Sequence, residues 1–224
     1  MMNKELKAVI FDLDGVITDT AEYHFIAWKQ LAEELGITFD RAFNEQLKGV
    51  SRMESLERIL ALGGQADRYT MAEKEALADK KNEHYKQLIA RMTPDDLLPG
   101  ILDLLRELKR ENVKIGLASA SKNAFTVIER LQIGEYFDTI VDATKVKNSK
   151  PHPEIFLTAA KQLQVDPSAC VGVEDAQAGV AAIQAANMFA IGVGDEEALK
   201  EADYIVQTTA ELTYDIIVRA FHRE

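Results

Sequence analysis

The stretch AVIFDLDGVITDTAEYH, residues 8–24, decides the fold. Ala8-Val9-Ile10-Phe11 is an unbroken apolar run, the pattern of a strand covered on both faces, as in a parallel sheet. Asp12 and Asp14 follow two positions apart, ahead of Gly15. A doubly covered strand does not end in paired carboxylates without a reason. Nor does the chain then turn back toward the sheet, because the next stretch is polar and helical in pattern.

Outward from this stretch, short runs rich in Val and Ile alternate with helical periodicity. Strands are predicted at 8–13, 114–118, 139–141, 170–173, 189–193 and 204–206. Ile101, Leu102, Leu104, Leu105 and Leu108 make one helical stripe. Ile155, Phe156, Ala159, Ala160 and Leu163 make another, with Pro153 near its first turn. Residues 178–186 are small and apolar, as a helix pressed closely on a sheet requires. One interval breaks the alternation. Between 18 and 93 only helical patterns occur, with Phe25, Trp28, Leu31 and Leu35 on one face. Leu56, Ile59, Leu60 and Leu62 form a further stripe stopped by Gly63-Gly64, and a long polar-faced helix spans 72–92. The expected fold is α/β: a doubly wound parallel-sheet, Rossmann-like core with an inserted all-α cap domain. The core is expected to take 1–17 and 94–224 and the cap 18–93, joined by two adjacent connections that act as a hinge.

Composition excludes several classes. The 224 residues are 47% hydrophobic and 28% charged, with 5 Pro and 12 Gly, as in a packed soluble protein. A net charge of −11 argues against nucleic acid or an anionic membrane as partner. The N-terminus carries Lys4, Glu5 and Lys7 without a signal-peptide apolar segment, and no run reaches membrane-spanning length. The single cysteine, Cys170, sits in a strand pattern and reads as buried and inert. A cytoplasmic monomer acting on small molecules is the expectation.

Ligands of open parallel sheets bind beyond the carboxyl ends of the strands. That rim receives Asp12 and Asp14 from the first strand and Ser119, Ser121, Lys122 and Asn123 after the second. Lys150, before Pro151, follows the third, and Glu174 with Asp175 the fourth. Each alone has an ordinary reading: a turn at Gly15, a helix cap, a solvated lysine, acids at a helix N-terminus. Together they describe a site. Crowded carboxylates need a cation, and oxygen-only ligands beside a phosphate suit Mg²⁺. An aspartate can attack phosphorus, and a second carboxylate can serve as general acid and base. Lys150 and Ser119 would neutralise and hydrogen-bond the phosphoryl oxygens.

In that order, Phe11-Asp12-Leu13-Asp14-Gly15-Val16, Ser119, Lys150-Pro151 and Glu174-Asp175 resemble the haloacid dehalogenase superfamily. The resemblance implies that Asp12 is the nucleophile and Asp14 the general acid/base. It implies Mg²⁺ held by Asp12, the Asp14 backbone carbonyl and Asp175, with Glu174 at or near the metal. It also implies that the helical insert is a cap. Lys48-Gly49-Val50-Ser51-Arg52, Ala120 within Ala118–Asn123, and Ala21-Glu22-Tyr23-His24 extend the likeness to the sugar-phosphate mutases of that superfamily. Such a mutase interconverts β-glucose 1-phosphate and glucose 6-phosphate through a 1,6-bisphosphate. On that likeness Lys48, Arg52 and Lys81 meet the ligand from the cap, and Arg52 grips the second phosphate. Ser121, Lys122 and Asn123 reach its other end, and His24 helps place the acid/base. Trp28 reads equally as a sugar wall or as cap core. Two other readings stand beside this one: a sugar-phosphate phosphatase with the same nucleophile, and a phospho-aspartate receiver domain.

Overall fold

The computed structural model describes residues 5–222. Lys4 and the outermost ends of the two expected core segments lie outside the described residues. Strands β1 (Ala8–Phe11), β2 (Lys114–Leu117), β3 (Thr139–Ile140), β4 (Cys170–Glu174), β5 (Phe189–Val193) and β6 (Tyr204–Val206) form a six-stranded sheet. Its order is β3-β2-β1-β4-β5-β6, and every pairing is parallel. Helices α1 (Thr20–Glu34), α2 (Arg41–Asn44), α3 (Arg52–Leu62) and α4 (Met71–Ile89) lie between β1 and β2, followed by α5 (Ile101–Arg110). Helices α6 (Ala124–Arg130), α7 (Glu154–Leu163), α8 (Gln177–Ala185) and α9 (Tyr214–His222) complete the chain.

Alternation along the strands builds two cores. Val9, Phe11, Val171, Val173, Ile191 and Val193 face one side, covered by Leu104, Leu105 and Leu108 of α5, Val127 of α6 and Ile217 of α9. Ala8, Ile10, Cys170 and Ala190 face the other, covered by Phe156 and Leu163 of α7 and Val180 and Ile183 of α8. Helix α8 packs closely on β4 at Gly172, where a Cβ would stand 2.6 Å from Ile183. Cys170 is buried, and its thiol meets the Asp166 carbonyl at 3.4 Å.

A third cluster is drawn wholly from the insert: Phe25, Trp28, Leu31, Phe39, Leu56, Ile59, Leu60 and Ala78 among others. Leu62, counted in its stripe, is instead 44% exposed, one helical step past the buried face. Pro153 stands immediately before the first residue of α7, near its first turn as expected. The two connections of the insert run side by side. Thr18 bridges to Leu97, the Leu98 amide donates to the Ile17 carbonyl at 3.0 Å, and the Thr18 hydroxyl donates to the Asp96 carbonyl at 2.6 Å. Among the described residues, no helix is long and apolar enough to cross a membrane.

Candidate active site

The strand order reverses direction of progress at β1, which pairs with β2 on one side and β4 on the other. Parallel sheets open a crevice at such a point. The register sets Phe11 against Val173, so the next residues, Asp12 and Glu174, leave adjacent strands side by side. Beyond Asp12 the chain folds into a tight turn. The Gly15 amide donates to the Thr18 carbonyl at 2.8 Å, and the Asp14 amide donates to Asp12 Oδ2 at 3.1 Å. Gly15 is required there twice: its φ is +78°, and a Cβ would collide with the Asp175 carboxylate.

Lys150 is fully sunk behind this turn. Its ammonium donates to Asp12 Oδ1 at 2.6 Å and to Glu174 Oε1 at 2.5 Å. The other Glu174 oxygen accepts the Ala176 amide at 3.0 Å. Burial opposes the charge on Lys150, yet Asp12 and Glu174 hold its pKa above the usual lysine value. Asp12, Glu174 and Asp175 each offer a carboxylate oxygen, all within 4.8 Å of one another. Burial pushes Glu174 up to about 8 against the pull of Lys150, and burial pushes Asp175 up to about 7 against the pull of Lys48. This oxygen-only, mutually repelling set fits a hard divalent cation, whose charge would relieve the repulsion.

Asp14 faces a different neighbourhood. Burial and then the adjacent Asp12 charge raise its pKa to about 8. Its Oδ1 accepts the Thr20 hydroxyl, and its Oδ2 lies 3.7 Å from His24 Nε2. Thr20 and His24 are one turn apart on α1 and so share a face. His24 Nδ1 lies 2.7 Å from Lys81 Nζ, and its ring stacks on Tyr85 at 4.0 Å. When Lys81 is protonated it can only donate here, and in that state the imidazole proton sits on Nε2, toward Asp14. Burial, then Lys81 and Arg52, lower the His24 pKa well below its usual value, so the ring is neutral. Lys81 is only 3% exposed and sits over the rings of Trp28 at 4.6 Å and Tyr85 at 4.9 Å. Burial and then Arg52 lower its pKa to about 7.

A cavity of about 520 Å³ lies between the sheet rim and the inserted helices. Of the residues expected from sequence, Asp12, Asp14, His24, Lys48, Gly49, Val50, Ser51, Arg52, Lys81, Ala120, Ser121, Lys122, Asn123 and Asp175 line it. Ser119, Lys150 and Glu174 do not line it: they are buried, 1%, 1% and 0% exposed, with Lys150 bound to Asp12 and Glu174, and Ser119 Oγ accepting the Ser121 amide. Trp28 serves both of its readings, lining the cavity while packed in the insert's cluster. Lys48 bridges Glu45 at 2.9 Å and Asp175 at 3.5 Å, and Arg52 lies 3.5 Å from Asp79. Sequence reasoning missed Thr20, Asn82 and Tyr85. The i, i+3, i+4, i+7 spacing of Ala78, Lys81, Asn82 and Tyr85 on one polar-faced helix was the available signal for the last two.

A parallel sheet with the strand-end acids, hydroxyl and lysine of this site defines a phosphoryl-transfer class of α/β protein. The haloacid dehalogenase-like hydrolase family matches residues 6–187, and the chain belongs to that family. It is 56% identical over 212 residues to the β-phosphoglucomutase of Bacillus subtilis, covering 95% of this chain and 94% of that protein. It is also similar to the crystal structure of β-phosphoglucomutase from Clostridium difficile, with a TM-score of 0.96 and 52% identity. That alignment covers 97% of this chain and 98% of the other. The fructose-1-phosphate phosphatase of Escherichia coli is 32% identical over 193 residues, covering 86% of this chain and 98% of that protein.

Proposed function

We propose that this chain is a β-phosphoglucomutase: it interconverts β-D-glucose 1-phosphate and D-glucose 6-phosphate through a phospho-aspartate and β-glucose 1,6-bisphosphate. The observation that carries the reading is one cavity with two phosphate-seeking poles. Asp12, with Lys150 and Ser119 behind it, stands at one. Arg52, Ser121, Lys122 and Asn123 line the same cavity as the other. A phosphatase needs only the first. The 56% identity to the Bacillus subtilis mutase supports the same reading.

In this reading residues 18–93 are the cap and the remainder the core, working as a monomer in the cytoplasm. Asp12 carries the phosphoryl group. With the cap shut, water is excluded and the electrostatics of the site strengthen. The sugar hydroxyl attacks phosphorus; its proton passes to Asp14 as the bond from phosphorus to Asp12 breaks. The bisphosphate exchanges ends. Asp14 then returns the proton to the departing bridging oxygen as the other phosphoryl group bonds to Asp12. A pKa of about 8 leaves both forms of Asp14 accessible near neutral pH: the carboxylate accepts the proton in the first half-reaction and the acid donates it in the second. Thr20 and neutral His24 fix the carboxyl's direction. Asp12, the Asp14 carbonyl and Asp175, with Glu174 close by, would hold Mg²⁺, which supplies charge neutralisation at the phosphoryl oxygens.

Incubation with β-glucose 1-phosphate, Mg²⁺ and a trace of bisphosphate tests the proposal. Glucose 6-phosphate without matching free phosphate is expected. Stoichiometric phosphate release would overturn it in favour of the phosphatase. Asp12→Asn and Asp14→Asn should each abolish or severely cut turnover, by roughly 10²–10⁴-fold for loss of the acid/base; turnover surviving in both would remove the mechanism.

A further inference from the structure

Asn82 lies on α4 within the insert, and Asn123 lies at the start of α6 in the sheet domain. The Asn123 amide Nδ2 donates to Asn82 Oδ1 at 2.8 Å, and both side chains belong to residues only 8% exposed. This bond does not stand alone. The Ser121 amide donates to Ser119 Oγ at 3.1 Å, and the Asn123 amide N–H donates to Ser121 Oγ at 3.2 Å. A continuous ladder thus runs from Ser119 at the Asp12 pole, through Ser121 and Asn123, to a helix of the insert. An asparagine amide swings freely about its last bond unless a partner holds it. Among the described residues, the hydrogen-bond partner of the Asn123 side-chain amide is Asn82, from across the cavity.

We propose that Asn82 is a positioning residue that couples cap closure to the grip on the non-reacting phosphate. This rests on the mutase reading above. When α4 docks, Asn82 takes one amide hydrogen of Asn123, and the Ser121-Lys122-Asn123 loop is held in one arrangement facing the cavity. When α4 withdraws, that amide is released and the loop loses its anchor. Binding of the second phosphate and closure then become one event, each favouring the other to the same extent. A ligand with a single phosphate and nothing at the distal pole gains nothing from the latch. The bond spans two buried polar groups, so leaving either unpartnered is costly. The adjacent Lys81 is turned to His24 and Asp14, so neighbouring residues of α4 serve opposite poles of the cavity.

The experiment is a double-mutant cycle on steady-state mutase kinetics: wild type, Asn82→Ala, Asn123→Ala and the pair, with Asn82→Asp as the conservative variant. Asn82→Ala is expected to raise KM for β-glucose 1,6-bisphosphate by roughly tenfold, the worth of one buried hydrogen bond, with a smaller change in kcat. In the Asn123→Ala background the same substitution should add less than about twofold, because its partner is already gone. Asn82→Asp keeps an acceptor oxygen in place and should retain most of the wild-type KM. Thermal unfolding of each variant checks the fold. Should Asn82→Ala not fold, Asn82→Asp against Asn82→Ser carries the same comparison. Additive effects in the cycle, or equal KM losses in the Ala and Asp variants, would overturn the inference. If the wild type itself releases phosphate stoichiometrically, it is the mutase reading that fails.

Discussion

Lys81 concentrates the residue-scale argument, because its charge is buried against aromatic rings and an imidazole nitrogen. Its folded pKa of about 7 lies below the ordinary value of 10.5. Below pH 7 both folded and unfolded chains carry the proton, and the full cost of burying the charge is present. As pH rises from 7 toward 10.5, the native state sheds its proton first and the cost fades. Lys81→Met is therefore expected to unfold at a higher temperature than wild type at neutral pH, by on the order of 1 kcal/mol or more in stability, and to lose turnover. The stability gap should narrow as pH is raised; a gap constant across that window would refute the burial argument. Asp175 gives a second prediction. Its carboxyl, raised to about 7 by burial against the pull of Lys48, must lose its proton to ligate a cation. Apparent Mg²⁺ affinity should thus be nearly flat above about pH 8 and fall roughly tenfold per unit below about pH 7. Calorimetric titration in buffers of different ionisation enthalpy would show the released proton; an affinity independent of pH would exclude Asp175 from the metal site.

At the scale of elements, the contact of α8 with β4 decides how Lys150 is held. Gly179 on α8 leaves space that a Cβ would share with the Glu174 carboxylate, 1.9 Å from its Cδ. Gly179→Ala must push Glu174 aside, and Lys150 loses one of its two carboxylate partners. A stability loss of about 1–3 kcal/mol from overpacking is expected, with a disproportionate fall in kcat. Glycine 64, with open space at its Cβ and a φ of +65°, is the control: alanine there strains the backbone and leaves the site untouched. Activity loss in proportion to stability loss at both positions would show that Glu174 does not hold Lys150 for catalysis. This contact also shows where sequence reading ends. The six strands were legible, because Val- and Ile-rich runs bounded by helical periodicity have few other interpretations. The sequence reading gives no range for α6, with seven residues, and is silent on α9, whose Ile216-Ile217-Val218 favours a strand as readily as a helix. The acids could be assigned to the rim from strand ends alone. That Glu174 would be bound to Lys150 could not, because it depends on the β1–β4 register and on Gly179 admitting the side chain.

For the whole molecule, the informative fact is that insert and core are closed on each other around the cavity, beyond the contacts of Thr20 and His24 with Asp14. Lys48 reaches Asp175, Asn123 donates to Asn82, and the Ser149 hydroxyl donates to Glu54 Oε2 at 2.9 Å. The existence of a helical insert was legible from the missing strands between 18 and 93. These bridges were not, since residues 95 positions apart, as Ser149 and Glu54 are, meet only through docking. The Ser149 bridge touches the residue before Lys150 and not the cavity lining, so it isolates closure from chemistry. Ser149→Ala removes the donor, while Glu54 keeps its pairing with Arg58 at 2.5 Å and is not stranded. The loss is then one part-buried hydrogen bond, about 1 kcal/mol, or roughly a fivefold shift from closed toward open. On the proposed mechanism, an open cap admits water to a phosphorylated Asp12. Free phosphate released per glucose 6-phosphate formed should therefore rise up to about fivefold, with kcat for the mutase reaction reduced less. Amide exchange at the paired connections, around Thr18 and Leu98, should quicken in parallel, because those backbone bonds open with the cap. If phosphate leakage and exchange both match wild type, the Ser149–Glu54 contact plays no part in holding the cap.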